Sequence, residues 1–161
     1  MQLDKVQPKN KRQLKQLINY AFKHNIYDLN FIDTSEITDM SLLFSNCMHN
    51  FDVSSWDVSN VTNMGYMFYH CKNFNCDLSN WDVSKVINMR HMFRLCKKFD
   101  CDLSNWDVSN VTDMDNMFYN CKKFNCDLSD WDISNITRWK NMFSGCDKMT
   151  IPNWYKLYHK K

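Results

Sequence analysis

Residues 56–80 read WDVSNVTNMGYMFYHCKNFNCDLSN, and residues 81–105 read WDVSKVINMRHMFRLCKKFDCDLSN. The pattern starts again at Trp106 and at Trp131, so four units begin W-D-V/I-S at a period of 25 residues. A degenerate unit that is one residue shorter begins at Ile32. Periods of about 20–50 residues are typical of repeat proteins, in which one unit is too small to bury its own apolar face. The sequence therefore predicts stacked repeats.

Each unit contains two different hydrophobic periods. In residues 56–80, one set of apolar residues has the i, i+3, i+4, i+7 spacing of a short helix: Met64, Met67, Phe68 and Cys71. A second set alternates with polar residues, as in a half-buried strand: Phe74, Cys76 and Leu78. The two periods together predict an α/β repeat solenoid. Short parallel strands and short helices of successive coils would stack in it, and equivalent side chains would form columns.

The repeats divide the chain into three parts. Residues 1–31 do not repeat, and the apolar spacing from Leu14 to Phe22 predicts an amphipathic helix that caps the first repeat. Five repeats are then predicted, at residues 32–55, 56–80, 81–105, 106–130 and 131–149. Residues 150–161 depart from the pattern and are predicted to form a C-terminal cap.

Composition excludes several classes of protein. The chain has 161 residues, 20 Lys and Arg against 18 Asp and Glu, and a formal net charge of +2, which disfavours a general nucleic-acid or membrane-surface binder. The mean hydropathy of −0.57 predicts no membrane span. The first residues lack the apolar segment of a secretory signal, which predicts an intracellular protein with free thiols. Association with a virion or a cell surface stays open.

Three stretches of the sequence resemble a known family. They are LNFIDTSEITDMSLLF at residues 29–44, WDVSNVTNM at residues 56–64 and MFYHCKNFNCDLSNWDVS at residues 67–84. The chain resembles the BspA-like leucine-rich-repeat proteins, which are often described as bacterial surface proteins or mycoplasma-type lipoproteins. The resemblance extends over nearly the whole chain. It implies a leucine-rich-repeat-like, right-handed solenoid and a non-enzymatic role in adhesion or protein–protein contact.

Eight cysteines occupy two repeated positions. The first cysteine column comprises Cys47, Cys71, Cys96, Cys121 and Cys146, and the second cysteine column comprises Cys76, Cys101 and Cys126. Each cysteine stands where the pattern requires an apolar residue, which predicts small buried side chains. A stack of zinc-bound thiolates is the alternative. We predict no metal site and no cofactor.

Aspartates also occupy two repeated positions. They are Asp57, Asp82, Asp107 and Asp132 in one, and Asp52, Asp77, Asp102 and Asp127 in the other. Stacked carboxylates repel each other unless something offsets their charge. We predict Asx turns, in which each carboxylate accepts a backbone N–H of the turn that follows it. Bound calcium is the alternative, although the chain lacks glycine-punctuated calcium loops.

No arrangement of residues in the sequence is typical of an enzyme. The five histidines do not share a repeated position, and only Gly65 and Gly145 are available for a phosphate-binding loop. An acid–base pair among the aspartates is less plausible than a structural role, because the aspartates recur in every unit. We therefore predict no catalytic residues and no enzymatic activity.

Positions that differ between repeats are free of packing constraints, so they are candidates for partner binding. Tyr and Arg are the residue types that anchor protein interfaces. On this basis the predicted partner-binding residues are Tyr66, Tyr69, His70, Arg90, His91, Arg94 and Tyr119. We expect them on the helical side of the repeats. A solvated surface without a partner is the alternative for each of them.

A basic stripe follows the first cysteine column. It comprises Lys72, Lys97, Lys98, Lys122, Lys123 and Lys148, which we call the lysine edge. Lysines at a sheet edge commonly prevent edge-to-edge association. A nucleic acid or another anionic polymer is the sharper alternative, but the aromatic side chains expected for single-stranded nucleic acid are sparse along this stripe.

The sequence predicts a non-catalytic protein–protein interaction or structural scaffold module. Its expected partner is another protein, and nucleic acid is disfavoured. The alternatives are a cell-surface or virion adhesion component and a binder of nucleic acid or another anionic polymer through the lysine edge.

Overall fold

The structure, a computed structural model, describes residues 5–158. It contains helix α1 at Lys11–Lys23 and helix α2 at Asn153–Tyr158. Within the described residues, the chain between the helices forms turns and irregular segments, with isolated parallel β-bridges and no strand. Neither helix in this part of the chain is long and apolar enough to cross a membrane.

The predicted α/β repeat solenoid, leucine-rich-repeat-like with short strands and short helices, is therefore wrong. The structure nevertheless places equivalent residues of successive repeats side by side. Parallel bridges join equivalent residues in five consecutive repeats: Asp39, Asn63, Asn88, Asp113 and Arg138. The 25-residue period thus corresponds to stacked units that isolated bridges, and not a continuous β-sheet, join to one another.

Left-handed residues explain why the predicted helices are missing. Tyr66 has φ = 60° and His70 has φ = 60°, and both lie inside the segment whose apolar spacing predicted a helix. An L-residue in this conformation interrupts a right-handed helix. The equivalent residues of the other repeats also have positive φ: Leu42, His91, Asn116 and Asn141, then Asn46, Leu95, Asn120 and Gly145.

The backbone hydrogen bonds of this segment alternate between two kinds of partner. Four N–H groups donate to the next repeat at 2.7–3.0 Å: Met64 to the Asn88 carbonyl, Tyr66 to Arg90, Phe68 to Met92 and His70 to Arg94. The intervening N–H groups of Met67, Tyr69 and Cys71 donate to the carbonyl three residues back at 3.0–3.1 Å. The segment therefore has neither the i to i−4 bonds of a helix nor the extended backbone of a strand.

Side chains replace backbone acceptors where strands were predicted. The Leu78 N–H donates to Sγ of Cys101 at 3.1 Å, and the Leu103 N–H donates to Sγ of Cys126 at 3.1 Å. The Asp100 N–H donates to Oδ1 of Asn75 at 2.9 Å. These bonds satisfy the amides of buried or half-buried segments without forming a sheet ladder.

Aromatic columns run through the core among aliphatic, Met and Cys side chains. One phenylalanine from each of five repeats forms the phenylalanine column: Phe44, Phe68, Phe93, Phe118 and Phe143. Successive rings of this column lie 5.5–5.8 Å apart and within 7° of parallel. Buried stacked rings contribute both apolar area and ring–ring attraction to stability.

The tryptophans recur at the same position of each repeat, contact the phenylalanine column and join the repeats by hydrogen bonds. The tryptophan column comprises Trp56, Trp81, Trp106 and Trp131. Each indole Nε1–H donates, at 3.0–3.1 Å, to a backbone carbonyl 27 or 28 residues earlier in the chain. Trp154 in α2 continues the pattern by donating to the Leu128 carbonyl at 2.9 Å. Helix α2 thus attaches to the repeat at residues 106–130 through the same kind of bond that joins the repeats to one another.

Helix α1 covers the other end of the stack and is the helix predicted from Leu14 to Phe22. Its N-cap is Asn10, whose side chain accepts the Gln13 N–H, as helix N-caps commonly do. The buried face of the helix contains Leu14, Ile18 and Ala21. At its C-terminal end, the ring of Phe22 lies against the first repeat.

Candidate partner-binding surface

Six of the seven predicted partner-binding residues lie together on the turns of three successive repeats. We call this group the aromatic–arginine patch: Tyr66, Tyr69, Arg90, His91, Arg94 and Tyr119. The prediction that they project from a helical side is wrong, because the segments that hold them are turns with left-handed residues. Their proximity follows from the stacking of repeats, which places residues 25 apart next to each other.

The first column of the patch contains Tyr66, His91 and Asn116. The rings of Tyr66 and His91 stack with centroids 4.4 Å apart and planes 5° from parallel. On the other side of His91, Nδ2 of Asn116 lies 3.5 Å from its Nε2. Arg90 places its guanidinium carbon 5.6 Å from the centre of the Tyr66 ring. These contacts fix the imidazole ring and leave it only 7% exposed.

The second column of the patch contains Tyr69, Arg94 and Tyr119. The guanidinium carbon of Arg94 lies 4.7 Å from the centre of the Tyr119 ring and 6.0 Å from that of Tyr69. Both distances are within the range of cation–π attraction. Nη1 of Arg94 also lies 3.2 Å from Nδ1 of His91, which connects the two columns. Arg94 is therefore held between two aromatic rings.

The protonation state of His91 follows from its surroundings. Burial lowers the pKa of His91 to about 4, and the nearby positive charges of Arg94 and Arg90 act in the same direction. The imidazole is therefore neutral at pH 7. A neutral ring can accept a hydrogen bond from Nη1 of Arg94 through Nδ1, which orients the guanidinium.

The patch contains positive charge that no carboxylate neutralises by direct contact. Among residues 5–158, neither Arg90 nor Arg94 forms an ion pair. Two carboxylates of the next repeat form ion pairs with another arginine: Arg138 lies 3.5 Å from Asp113 and 2.9 Å from Asp115. The Nε atoms of Arg90 and Arg94 are buried and have no hydrogen-bond acceptor in the described part of the chain.

His70, the seventh predicted residue, lies at the border of the patch. Its Nδ1 is 3.0 Å from Oδ1 of Asn46 in the preceding repeat. Its ring centre is 6.0 Å from that of Tyr69. His70 therefore contacts one member of the patch and continues the surface toward the first repeat.

The lysine edge lies at the surface. Lys97, Lys98, Lys123 and Lys148 are exposed, whereas Lys72 and Lys122 are partly buried. Lys122 forms an ion pair with Asp147, 25 residues later, at 3.1 Å. The stacking register thus brings a carboxylate to one end of the stripe.

The first cysteine column acts as a set of buried hydrogen-bond donors. Sγ of Cys71 donates to the Phe44 carbonyl at 3.0 Å, and Sγ of Cys121 donates to the Phe93 carbonyl at 2.9 Å. Burial raises the pKa of the Cys96 and Cys121 thiols well above the ordinary value. The predicted burial holds for the inner members, whereas Cys47 and Cys146 at the ends are half-buried. Sequence reasoning missed the hydrogen bonds, because an apolar pattern gives no sign of a donor.

The aspartates form the predicted Asx turns. Oδ1 of Asp77 accepts the Ser79 N–H at 3.0 Å, and the same bond recurs in both repeated positions, as with Asp107 and Ser109 at 3.0 Å. Hydrogen bonds from the Ser79 N–H and hydroxyl lower the pKa of Asp77. Within the described residues, no group of three or more His, Cys, Asp or Glu side chains is placed to hold a metal ion.

Sequence reasoning also missed a groove along the second cysteine column. Three adjoining cavities of about 430, 300 and 580 Å³ share lining residues along it. Cys76 and Cys101 lie in the groove, with Asp77 and Asp102 beside them. Burial raises the pKa of Cys76 to about 12 and that of Cys101 to about 11, so neither thiol is a nucleophile at neutral pH.

The fold and the patch define a protein of stacked 25-residue repeats with a variable surface on its turns. Residues 12–107 and 38–154 match the family described as Mycoplasma protein of unknown function, DUF285. These two matches together extend over most of the sequence, and the chain belongs to this family. No curated protein and no solved structure matches the chain.

Proposed function

We propose that the protein is a non-catalytic protein–protein interaction module that binds its partner through the aromatic–arginine patch. One observation supports this most directly. The inter-repeat hydrogen bonds of the turn segments recur from repeat to repeat, while the side chains on them change from Tyr69 to Arg94 to Tyr119. A constant backbone with variable, interface-type side chains is the arrangement that repeat proteins use for recognition.

The engagement of the recurring polar groups supports a role without catalysis. The aspartates accept turn N–H groups, and the thiols of both cysteine columns have raised pKa values and hydrogen-bond partners. These groups form hydrogen bonds that stabilise the backbone of the repeats. A catalytic acid, base or nucleophile would instead be available to a substrate at a suitable pKa.

The proposed compartment is the interior of a cell. The thiols of the first cysteine column donate hydrogen bonds to backbone carbonyls, which requires the reduced form of cysteine. Reducing compartments maintain this form. Association with a cell surface or a virion, as adhesion in the BspA-like proteins implies, is the alternative, and fractionation of source cells distinguishes the two.

An affinity capture with a matched variant tests the proposed function. The last repeat has Ser144 at the position of Tyr69, Arg94 and Tyr119, so replacing those three residues by Ser uses a residue that the stack already contains. Extract from source cells is cross-linked to the wild type, to this triple variant and to a Lys97→Gln, Lys98→Gln control, and bound proteins are identified by mass spectrometry.

The expected result is one protein partner that the wild type and the lysine control capture and the triple variant loses. Equal capture by all three proteins would contradict binding through the patch. Binding to nucleic acid that weakens steeply with salt and disappears in the lysine control would favour the lysine edge instead.

A further inference from the structure

We infer that the aromatic–arginine patch binds carboxylate side chains of an acidic segment of its protein partner, with Arg90 and Arg94 as the anchoring groups. The inference rests on the proposed function and names the chemistry that the patch recognises. It depends on two features of the patch: charge without a direct partner, and an arginine that is held in place before a ligand binds.

The charge of the patch is available for a ligand. Arg90 and Arg94 form no ion pair within residues 5–158, and Asp113 and Asp115 are paired with Arg138. Both arginine side chains are partly exposed, although the Nε atom of each is buried. A guanidinium offers parallel N–H donors that match the two oxygens of a carboxylate.

The aromatic rings hold Arg94 in place before any ligand arrives. The guanidinium lies between the rings of Tyr69 and Tyr119, and its Nη1 contacts the neutral His91. A long side chain that is already ordered loses less conformational entropy on binding. The rings also shield the ion pair from water, and a charge pair is stronger where the local dielectric constant is low.

The extent of the patch favours an acidic peptide over a nucleic acid. The patch is confined to three repeats, and in the last repeat Ser144 and Asn141 take the positions of its two columns. The net charge of only +2 also differs from that of typical nucleic-acid binders.

Fluorescence anisotropy with defined probes tests the inference. The probes are dye-labelled hexaglutamate, dye-labelled hexaglutamine and a dye-labelled ten-nucleotide single-stranded RNA. The variants are the Arg90→Gln, Arg94→Gln pair, the Lys97→Gln, Lys98→Gln pair, which removes the same charge elsewhere, and Arg94→Lys. Arg94→Tyr is included because Tyr69 and Tyr119 occupy this position in the flanking repeats, so the variant keeps a residue that the stack accepts.

The wild type is expected to bind hexaglutamate and not hexaglutamine. The arginine pair and Arg94→Tyr should weaken binding about tenfold or more, whereas the lysine pair should change it by less than about twofold. Arg94→Lys should also weaken binding, since lysine keeps the charge and loses the planar donor pair. Thermal melting of each variant shows which of them are folded. If the Arg90→Gln, Arg94→Gln variant is unfolded, the comparison with the wild type uses Arg94→Tyr instead.

Three results would overturn the inference: no binding of hexaglutamate by the wild type, equal weakening by the arginine and lysine pairs, or tighter binding of the RNA. The capture experiment separates this failure from failure of the proposed function. If the Ser triple variant still loses its protein partner while hexaglutamate does not bind, the patch is an interface of another chemistry. If hexaglutamate does not bind and the Ser triple variant captures the same proteins as the wild type, the proposed function is also wrong.

Discussion

The repeat at residues 106–130 and the last repeat at residues 131–149 share one pattern but differ in the burial of their two β-branched positions. Val108 and Val111 are 1% and 0% exposed, whereas the equivalent Ile136 is 9% exposed and Ile133 is half-buried. The last repeat covers the first of these units, but only the six-residue helix α2 follows the second. Burial in this fold is therefore supplied by the neighbouring unit, so stability should decrease toward the C-terminal end of the stack.

The largest expected effect comes from breaking the tryptophan column in its middle. Trp106→Ala removes a side chain that is 3% exposed together with its hydrogen bond to the Leu78 carbonyl, and we expect a loss of about 3–5 kcal/mol in the free energy of unfolding. Trp154→Ala removes the half-buried equivalent at the end and should cost about 1–2 kcal/mol. Urea denaturation and calorimetry measure both, and equal losses would disprove the difference between centre and end.

The thiols provide a second comparison of centre and end. Cys96 and Cys121 are fully buried, whereas Cys47 and Cys146 are half-buried. Burial raises the pKa of Cys146 to about 11, so it should react slowly with iodoacetamide, and the two inner thiols should react only after unfolding. Mass spectrometry of labelled peptides over time measures the order. Modification of Cys121 before Cys146 would contradict it.

The patch predicts a dependence of stability on pH that the core columns do not share. The folded pKa of His91 is about 4, below the usual 6.5, so the unfolded chain binds the proton more readily between these values. The melting temperature of the wild type should therefore fall as the pH decreases from about 6.5 to about 4.

The matched control is His91→Asn, because Asn116 and Asn141 occupy the same position. This variant should melt at a temperature that changes less over that pH range. Calorimetry at several pH values compares the two proteins, and identical pH profiles would show that His91 is not the titrating group.

The smallest effect is expected on the lysine edge. Lys98 is exposed and forms no ion pair among the described residues. Lys98→Ala should change the free energy of unfolding by no more than about 0.5 kcal/mol. The same denaturation measurement applies, and a loss near that of Trp106→Ala would show that the lysine edge contributes to packing.

The sequence predicts the columns of this fold well, because a fixed period directly reports which residues become neighbours. Trp81 lies where Trp56 and Trp106 predict it, and the members of the patch come together for the same reason. The Asx turns could also be predicted, since Asp followed by Ser two residues later is a local signal that needs no tertiary information.

The secondary structure could not be predicted from the same pattern. The spacing of Met64, Met67 and Phe68 matches a helix, but turns with left-handed residues place the same side chains on one face. Tyr66 and His70 are neither Gly nor Asn, but the equivalent Asn116 and Asn120 of a later repeat carry the signal for positive φ, which the apolar spacing alone does not use. The hydrogen bonds from Tyr66 and His70 to the next repeat, which are tertiary, stabilise this conformation.

The repeat period predicts that the residues of the patch lie close together, but it does not predict their electrostatics. Variation between repeats selects the same residues, and their role in binding stays a prediction. The pairing of Asp115 with Arg138 and the burial of Nε in Arg94 depend on side-chain positions that spacing alone does not define.

The parallel phenylalanine rings imply that the length of this molecule is an adjustable quantity. Because each ring lies 5.5–5.8 Å from the next, duplicating one 25-residue segment in register would extend the protein by about one such step and leave every existing contact type intact. Gene duplication or deletion of whole segments could thus alter the reach of the molecule and the number of display positions, without the need to evolve a new core.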